Sequence, residues 1–146
     1  MRNVFGNNLQ VTVFGESHGP YIGITIDGIS AGVEVNKDSI CALLKKRRPM
    51  SQYETTRIED DEFEIISGCF NGFTNGNPLT IIIPNKNTKS ADYSELKDKP
   101  RPSHADYVAH VKYGGFEDYR GGGHFSGRIT AGIVAGGAII LDALEK

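Results

Sequence analysis

Four short segments set ionisable or hydroxyl side chains beside glycine or proline: Gly15-Glu-Ser-His-Gly19, Lys45-Lys-Arg-Arg48, Arg101-Pro-Ser-His-Ala-Asp106 and Gly121-Gly-Gly-His-Phe-Ser-Gly-Arg128. In the first, two glycines bracket a tight turn that would expose Ser17 and His18 at a strand end. Imidazole, with an unperturbed pKa of about 6.5, is suited to giving a proton to a leaving oxygen near neutral pH. A turn histidine is also commonly structural, and both readings stand. The segment is not a Gly-x-Ser-x-Gly elbow, and a serine adjacent to its own base has the wrong geometry for a hydrolase.

The cations of Lys45 to Arg48 suit a helix C-terminus, where the macrodipole favours positive charge. Arg47 differs from its neighbours because it continues the apolar stripe Ile40, Leu43, Leu44. Two accounts are open: a packed stem with a solvated head, or a guanidinium aimed at a phosphate or carboxylate. In the third segment Ser103 reads as a helix N-cap and Asp106 as a first-turn acid, whereas His104 opposes the dipole there. The fourth is a glycine loop running into a helix. Its backbone amides, with Ser126 and Arg128, are candidates for holding an anion or a ring oxygen, although a glycine loop is a weak signal alone. It matches neither the phosphate loop nor the dinucleotide fingerprint. The four histidines lack i, i+4 or Cys/His spacing, so no metal site is expected.

The elements that must carry these segments are legible in outline. Val11 to Phe14 and Ile22 to Ile26 alternate with period two, placing Ile22, Ile24 and Ile26 on one strand face. A helix is expected from an Asn36 or Asp38 cap to Pro49. Phe63 to Ser67 and Leu79 to Ile83 read as strands, separated by the turn signals Asn71-Gly72 and Asn75-Gly76. Residues 84–103 read as a long surface connection. His104 to Tyr113 reads as a short helix, and Gly127 to Leu144 as a longer one with Ile129, Ile133, Ile140 and Leu144 as its buried stripe. Gly132, Gly136 and Gly137 each cost that helix about 1 kcal/mol relative to Ala, which close packing would offset. Strands and helices mix without regular alternation. The expected class is therefore α+β, a sheet-and-helix sandwich in a single domain over residues 1–146.

Composition narrows the function classes. Eighteen acidic against sixteen basic residues give no general field for nucleic acid or an anionic membrane, so any anion recognition must be local. Two widely spaced cysteines, Cys41 and Cys69, point to a reducing cytoplasm rather than a disulfide framework. The N-terminus lacks signal-peptide features, and the apolar stretch Ile129 to Ala143 is shorter than the roughly 20 residues of a bilayer span.

Taken jointly and in order, several segments resemble chorismate synthases from about Phe5 through Leu144. They are Phe14-Gly-Glu-Ser-His-Gly19, Arg47-Arg-Pro49, Ile66-Ser-Gly68, Asp92-Tyr93-Ser94, Arg101-Pro-Ser-His-Ala-Asp106, Lys112-Tyr-Gly114 and Asp118-Tyr-Arg-Gly-Gly-Gly123. The resemblance implies a β-α-β sandwich core and a cytoplasmic homotetramer. It implies a 1,4-anti elimination of phosphate from 5-enolpyruvylshikimate 3-phosphate to chorismate, with reduced FMN as cofactor and NADPH as an optional reductant. It implies catalytic roles for His18, beside the substrate phosphate, and His104, near the flavin. It implies substrate contacts from Arg47, Ser17, Arg57 and Arg128, and flavin contacts from His124, Phe125 and Ser126. Gln52 and His124 depart from the family's usual arginines, and the chain is shorter than half of a typical member. The alternatives are a non-catalytic anion- or flavin-binding module and a self-associating fragment.

Overall fold

The computed structural model of this chain describes residues 3–48, 60–86, 88, 93 and 98–145. Among the described residues, seven strands and three α-helices follow one another. They are β1 (Val4–Phe5), β2 (Gln10–Gly15), β3 (Tyr21–Asp27), α1 (Lys37–Lys46), β4 (Glu64–Ser67), β5 (Cys69–Phe70), β6 (Phe73–Thr74), β7 (Leu79–Pro84), α2 (Asp106–Tyr113) and α3 (Thr130–Leu144). The fold is mixed α+β, as the sequence predicts.

Five strands form an antiparallel sheet in the order β1-β2-β3-β7-β4. Its register stacks β-branched and Leu side chains in rows across one face. Val11 faces Ile26, which faces Leu79; Val13 faces Ile24, which faces Ile81; and Ile22 faces Ile83. All eight are buried. Burial of each such side chain is worth about 1.5–3 kcal/mol, so this lattice dominates the core. The opposite face is more polar, with Thr25 and Thr80 hydroxyls 3.1 Å apart across β3 and β7.

Local signals set the smaller elements where the sequence predicts them. Asn36 caps α1, its side-chain oxygen accepting from the amides of Asp38 (2.9 Å) and Ser39 (3.3 Å). Asn71 and Gly72 both take positive φ and turn β5 into β6. This hairpin is tied to the loop before α1 by Thr74, whose hydroxyl donates to Ser30 O (2.6 Å) and accepts from the Val33 amide (2.9 Å).

Helices α1 and α3 pack side by side over the isoleucine face, α3 directly on β3. By length and composition Gly127–Leu144 is apolar enough to cross a bilayer, but here its first turn is 3-10 and its helix lies on the sheet. The predicted stripe is corrected. Ile129 is buried, but Ile133 and Leu144 are exposed, while Ala131, Gly132, Ala135, Gly136, Ala138 and Ile139 face inward. The reason is distance. A Cβ on Gly132 would stand 3.0 Å from Gly23 O, and one on Gly136 would stand 2.8 Å from Ile24 Cδ1, so small residues let the helix backbone approach β3. The offset expected for helix glycines holds at these two; Gly137 meets nothing within 4 Å.

Helix α2 starts at Asp106, two residues later than predicted, and Ser103 does not cap it. Ser103 takes φ +61°, Ala105 occupies the cap position without a side-chain bond, and Asp106 turns back to Arg101 instead. Nine of the twenty residues of the predicted surface connection, Asp92 and Ser94 included, lie outside the described residues.

The helix packing predicts opposite signs at neighbouring glycines. Gly137→Ala stabilises the chain by about 0.5–1 kcal/mol through helix propensity, whereas Gly132→Val destabilises it by about 1–3 kcal/mol by pressing on the β3 backbone. Urea midpoints at constant m check both.

Candidate functional site

The turn after β2 carries Ser17 and His18 inward, not outward as predicted. Ser17 is 1% and His18 9% exposed, and Ser17 Oγ and His18 Nδ1 share a 3.2 Å hydrogen bond. The glycine turn Gly121–Gly123 closes over them, with the Ser17 amide donating to Gly123 O at 3.0 Å. All three glycines have positive φ. A Cβ on Gly121 would stand 2.2 Å from His18 Nδ1, so the imidazole occupies space that any side chain there would take. The Tyr93 ring meets His18 edge-on at 4.8 Å, and the Arg101 guanidinium carbon lies 5.9 Å from the Tyr93 centroid.

A second cluster lies at the end of α1. The Asp61 carboxylate is 1% exposed and sits between two guanidiniums, Arg47 Nη1 at 3.1 Å and Arg128 Nη1. Arg47 Nη2 donates to Gly127 O at 3.3 Å. Arg128 also donates from Nε to Asn85 Oδ1 (3.0 Å) and from Nη2 to Pro84 O (3.3 Å). Asn85 Nδ2 in turn donates to Glu16 O (3.0 Å) and Gly19 O (2.8 Å), on either side of Ser17 and His18. Two guanidiniums against one carboxylate leave a positive excess of one charge. The Arg47 side chain keeps 24% exposure, while Arg128 keeps 5% and directs its described hydrogen bonds to protein acceptors.

The remaining predicted residues are spread around these clusters. His104 is exposed, and its Nδ1 donates to Pro102 O at 3.0 Å, which leaves Nε2 as the acceptor in the neutral ring. It shares no hydrogen bond with His18 or Arg47; its loop approaches His18 through Arg101 and Tyr93. His124 Nδ1 donates to Gly15 O at 2.9 Å, pinning the glycine turn to the end of β2. Ser126 Oγ accepts from the Arg128 amide at 3.3 Å. Phe125 is half-exposed against Tyr113, their centroids 6.0 Å apart, with Lys112 Nζ 5.4 Å from the Phe125 ring. Arg57 and Gln52 lie outside the described residues.

Two adjoining cavities open between α2 and the glycine turn. One, of about 290 Å³, is walled by Phe14, Tyr113, His124 and Phe125; the other, of about 360 Å³, by Asp106, His110, Asp118 and Tyr119. Glu117 and Asp118 border both. Sequence reasoning missed Asp61, Asn85 and Asp118. Asp61 sits in the run Glu59-Asp60-Asp61-Glu62, which reads as solvated charge, and nothing local singles it out.

Two carboxyls here are shifted. The hydrogen bond from Arg101 holds Asp106 below the ordinary carboxylate range, against the opposing effect of burial. Burial pushes Asp118 up, but hydrogen bonds from the Arg120 side chain and amide, the Arg120 charge and the nearby His18 together bring it below its usual value. Both folded pKa values lie below the unfolded value of about 3.9, so this stabilisation is complete above that pH and is lost as pH falls through the folded values. Urea midpoints should respond to these two groups only below about pH 4, and Asp106→Asn should flatten part of that fall. Gly121→Ala should displace His18 from its Tyr93 contact, visible as lost ring-to-ring nuclear Overhauser effects.

The family model described as chorismate synthase matches residues 9–146. A chorismate synthase of Chitinophaga pinensis is 52% identical over 137 residues, covering 94% of this chain and 41% of the relative. One from Thermococcus gammatolerans is 48% identical over 141 residues, covering 97% of this chain and 40% of the relative. A chorismate synthase crystal structure superposes with a TM-score of 0.64 at 28% identity, covering 94% of this chain and 34% of that one. The chain thus spans about 40% of the length of these curated relatives. It belongs to the chorismate synthase family.

Proposed function

We propose that the chain is the N-terminal part of an enzyme that eliminates phosphate from 5-enolpyruvylshikimate 3-phosphate to give chorismate, a carbon-oxygen lyase, and that alone it is inactive. The observation that carries this reading is the buried His18 turn joined, through Asn85, to a two-arginine cluster with a net positive charge. A departing phosphate needs both: a cation to hold its charge and an acid to protonate it.

In this reading Arg47, oriented by Asp61 and still partly open, binds the substrate phosphate together with Arg57. Arg128 and Ser17 support the same pocket, Arg128 by sharing Asp61 and Ser17 by its hydrogen bond to His18. His18 gives its proton to the leaving oxygen, with the Asp118 carboxylate nearby. His104 acts toward the flavin.

The cavity walled by Phe14, Tyr113, His124 and Phe125 fits one side of a flat flavin ring, with Ser126 next in the chain. Reduced FMN bound there would supply electron density that weakens the allylic carbon-oxygen bond. His124 stands where the family usually has arginine, and its Nδ1 is committed to Gly15 O, so it offers the face of its ring to this cavity. NADPH is the proposed reductant of the flavin, and the cytoplasm the proposed compartment, in keeping with the free thiols Cys41 and Cys69. Residues 1–146 are proposed as a single domain portion, completed by the rest of the family fold and assembled as a homotetramer.

A second reading, a self-associating fragment without catalysis, is favoured by one observation. Ile133, Leu141 and Leu144 leave the outer side of α3 apolar and exposed.

The test is chorismate formation under anaerobic conditions with reduced FMN, by this chain alone and mixed with a C-terminal segment of a relative. We expect turnover only in the mixture, and a drop of about 10²–10⁴-fold in kcat for His18→Ala with little change in KM. Folded, associated and inactive mixtures would reject the enzyme reading; light scattering of the chain alone checks the second one.

A further inference from the structure

We propose that Asn85 is the positioning residue of the His18 turn, an inference that rests on the acid role given to His18 above. Asn85 directly follows β7, and its backbone amide donates to Pro20 O at 3.0 Å. Its carboxamide then uses both ends. Nδ2 donates to Glu16 O at 3.0 Å and Gly19 O at 2.8 Å, while Oδ1 accepts from Arg128 Nε at 3.0 Å.

The two gripped carbonyls flank Ser17 and His18, so the chain path is fixed on both sides of the imidazole. Only asparagine supplies this combination at this length. Aspartate keeps the acceptor and loses both donors at neutral pH, and glutamine keeps the groups but sets them one methylene further out. The Oδ1 bond comes from a guanidinium, which makes it a charge-assisted one. Arg128 is itself held by Asp61, so the grip on the turn is anchored to a nearly solvent-free ion pair rather than to a mobile surface chain. Asn85 touches no reacting atom in this arrangement. Its contribution is to keep the His18 ring between Tyr93 and the glycine turn.

The test is nuclear magnetic resonance on the full 146-residue chain. In the unmodified protein both Asn85 side-chain amide protons should exchange with water at least about 100-fold more slowly than those of exposed Asn77. Asn85→Ala and Asn85→Asp are then compared by the His18 ring nitrogens, which report the tautomer ratio, and by His18-Tyr93 ring contacts. Both variants should change the ratio and lose the contacts while the Ile24 methyl signals stay in place. Asn85 protons that exchange as fast as those of Asn77, or His18 signals unchanged in Asn85→Asp, would overturn the proposal. If a variant does not fold, the exchange measurement on the unmodified chain decides alone. None of these readouts requires substrate, flavin or turnover, so they stand or fall separately from the chorismate assay.

Discussion

The Asp61 carboxylate ties together segments that are far apart in sequence. It holds Arg47 at the end of α1 and Arg128 at the foot of α3, and through Arg128 and Asn85 it reaches the turn between β2 and β3. A carboxylate this deeply buried is costly to desolvate, and removing one partner of such a pair typically costs about 3–5 kcal/mol. The cluster therefore constrains the local path of each segment it touches. Asp61 itself is held at φ +50°, a conformation uncommon outside glycine, which fits a residue whose position is dictated by its partners.

The sheet makes this cluster possible. Its isoleucine face fixes where α1 and α3 lie, and α3 approaches β3 closely because Gly132 and Gly136 add no side chain in between. That approach sets the start of α3, and with it Arg128, beside the end of β7 where Asn85 emerges. The glycine turn just before α3 is carried by the same placement onto Ser17 and His18. Packing of a helix against one strand thus governs the surroundings of a histidine on the next turn.

What could be read in advance follows the range of each interaction. The alternation in β2 and β3 and the Asn36 cap are set by neighbours a few residues away, and both appear where expected. The orientation of α3 depends on the depth of contact with β3. A hydrophobicity pattern ranks Ile133 and Leu144 above Gly132 and Gly136 and so turns the helix the wrong way. His18 reads as exposed because its cover, Gly121 to Gly123, lies about a hundred residues downstream. Asp61 and Asn85 carry no local mark at all: one sits in an acidic run, the other after a strand end, and each acquires its place through partners on other segments, Arg128 among them.

The outward side of α3 bears on how much of a working site this chain can hold. Exposing Ile133, Leu141 and Leu144 forgoes about 1.5–3 kcal/mol apiece relative to burying them, on a helix whose other side is packed as tightly as backbone allows. Helices covered on both sides are the arrangement expected of a central layer, and the chain spans about 40% of its relatives' length. Asp61 and Gly127 O hold Arg47, Ser17 Oγ bonds His18, and the glycine turn bonds the Ser17 amide, all from within the described residues. Arg47 and His18, the groups proposed to bind the anion and to donate the proton, are therefore held in place by this part of the family fold, while His104 is exposed and Phe125 half-exposed at its surface.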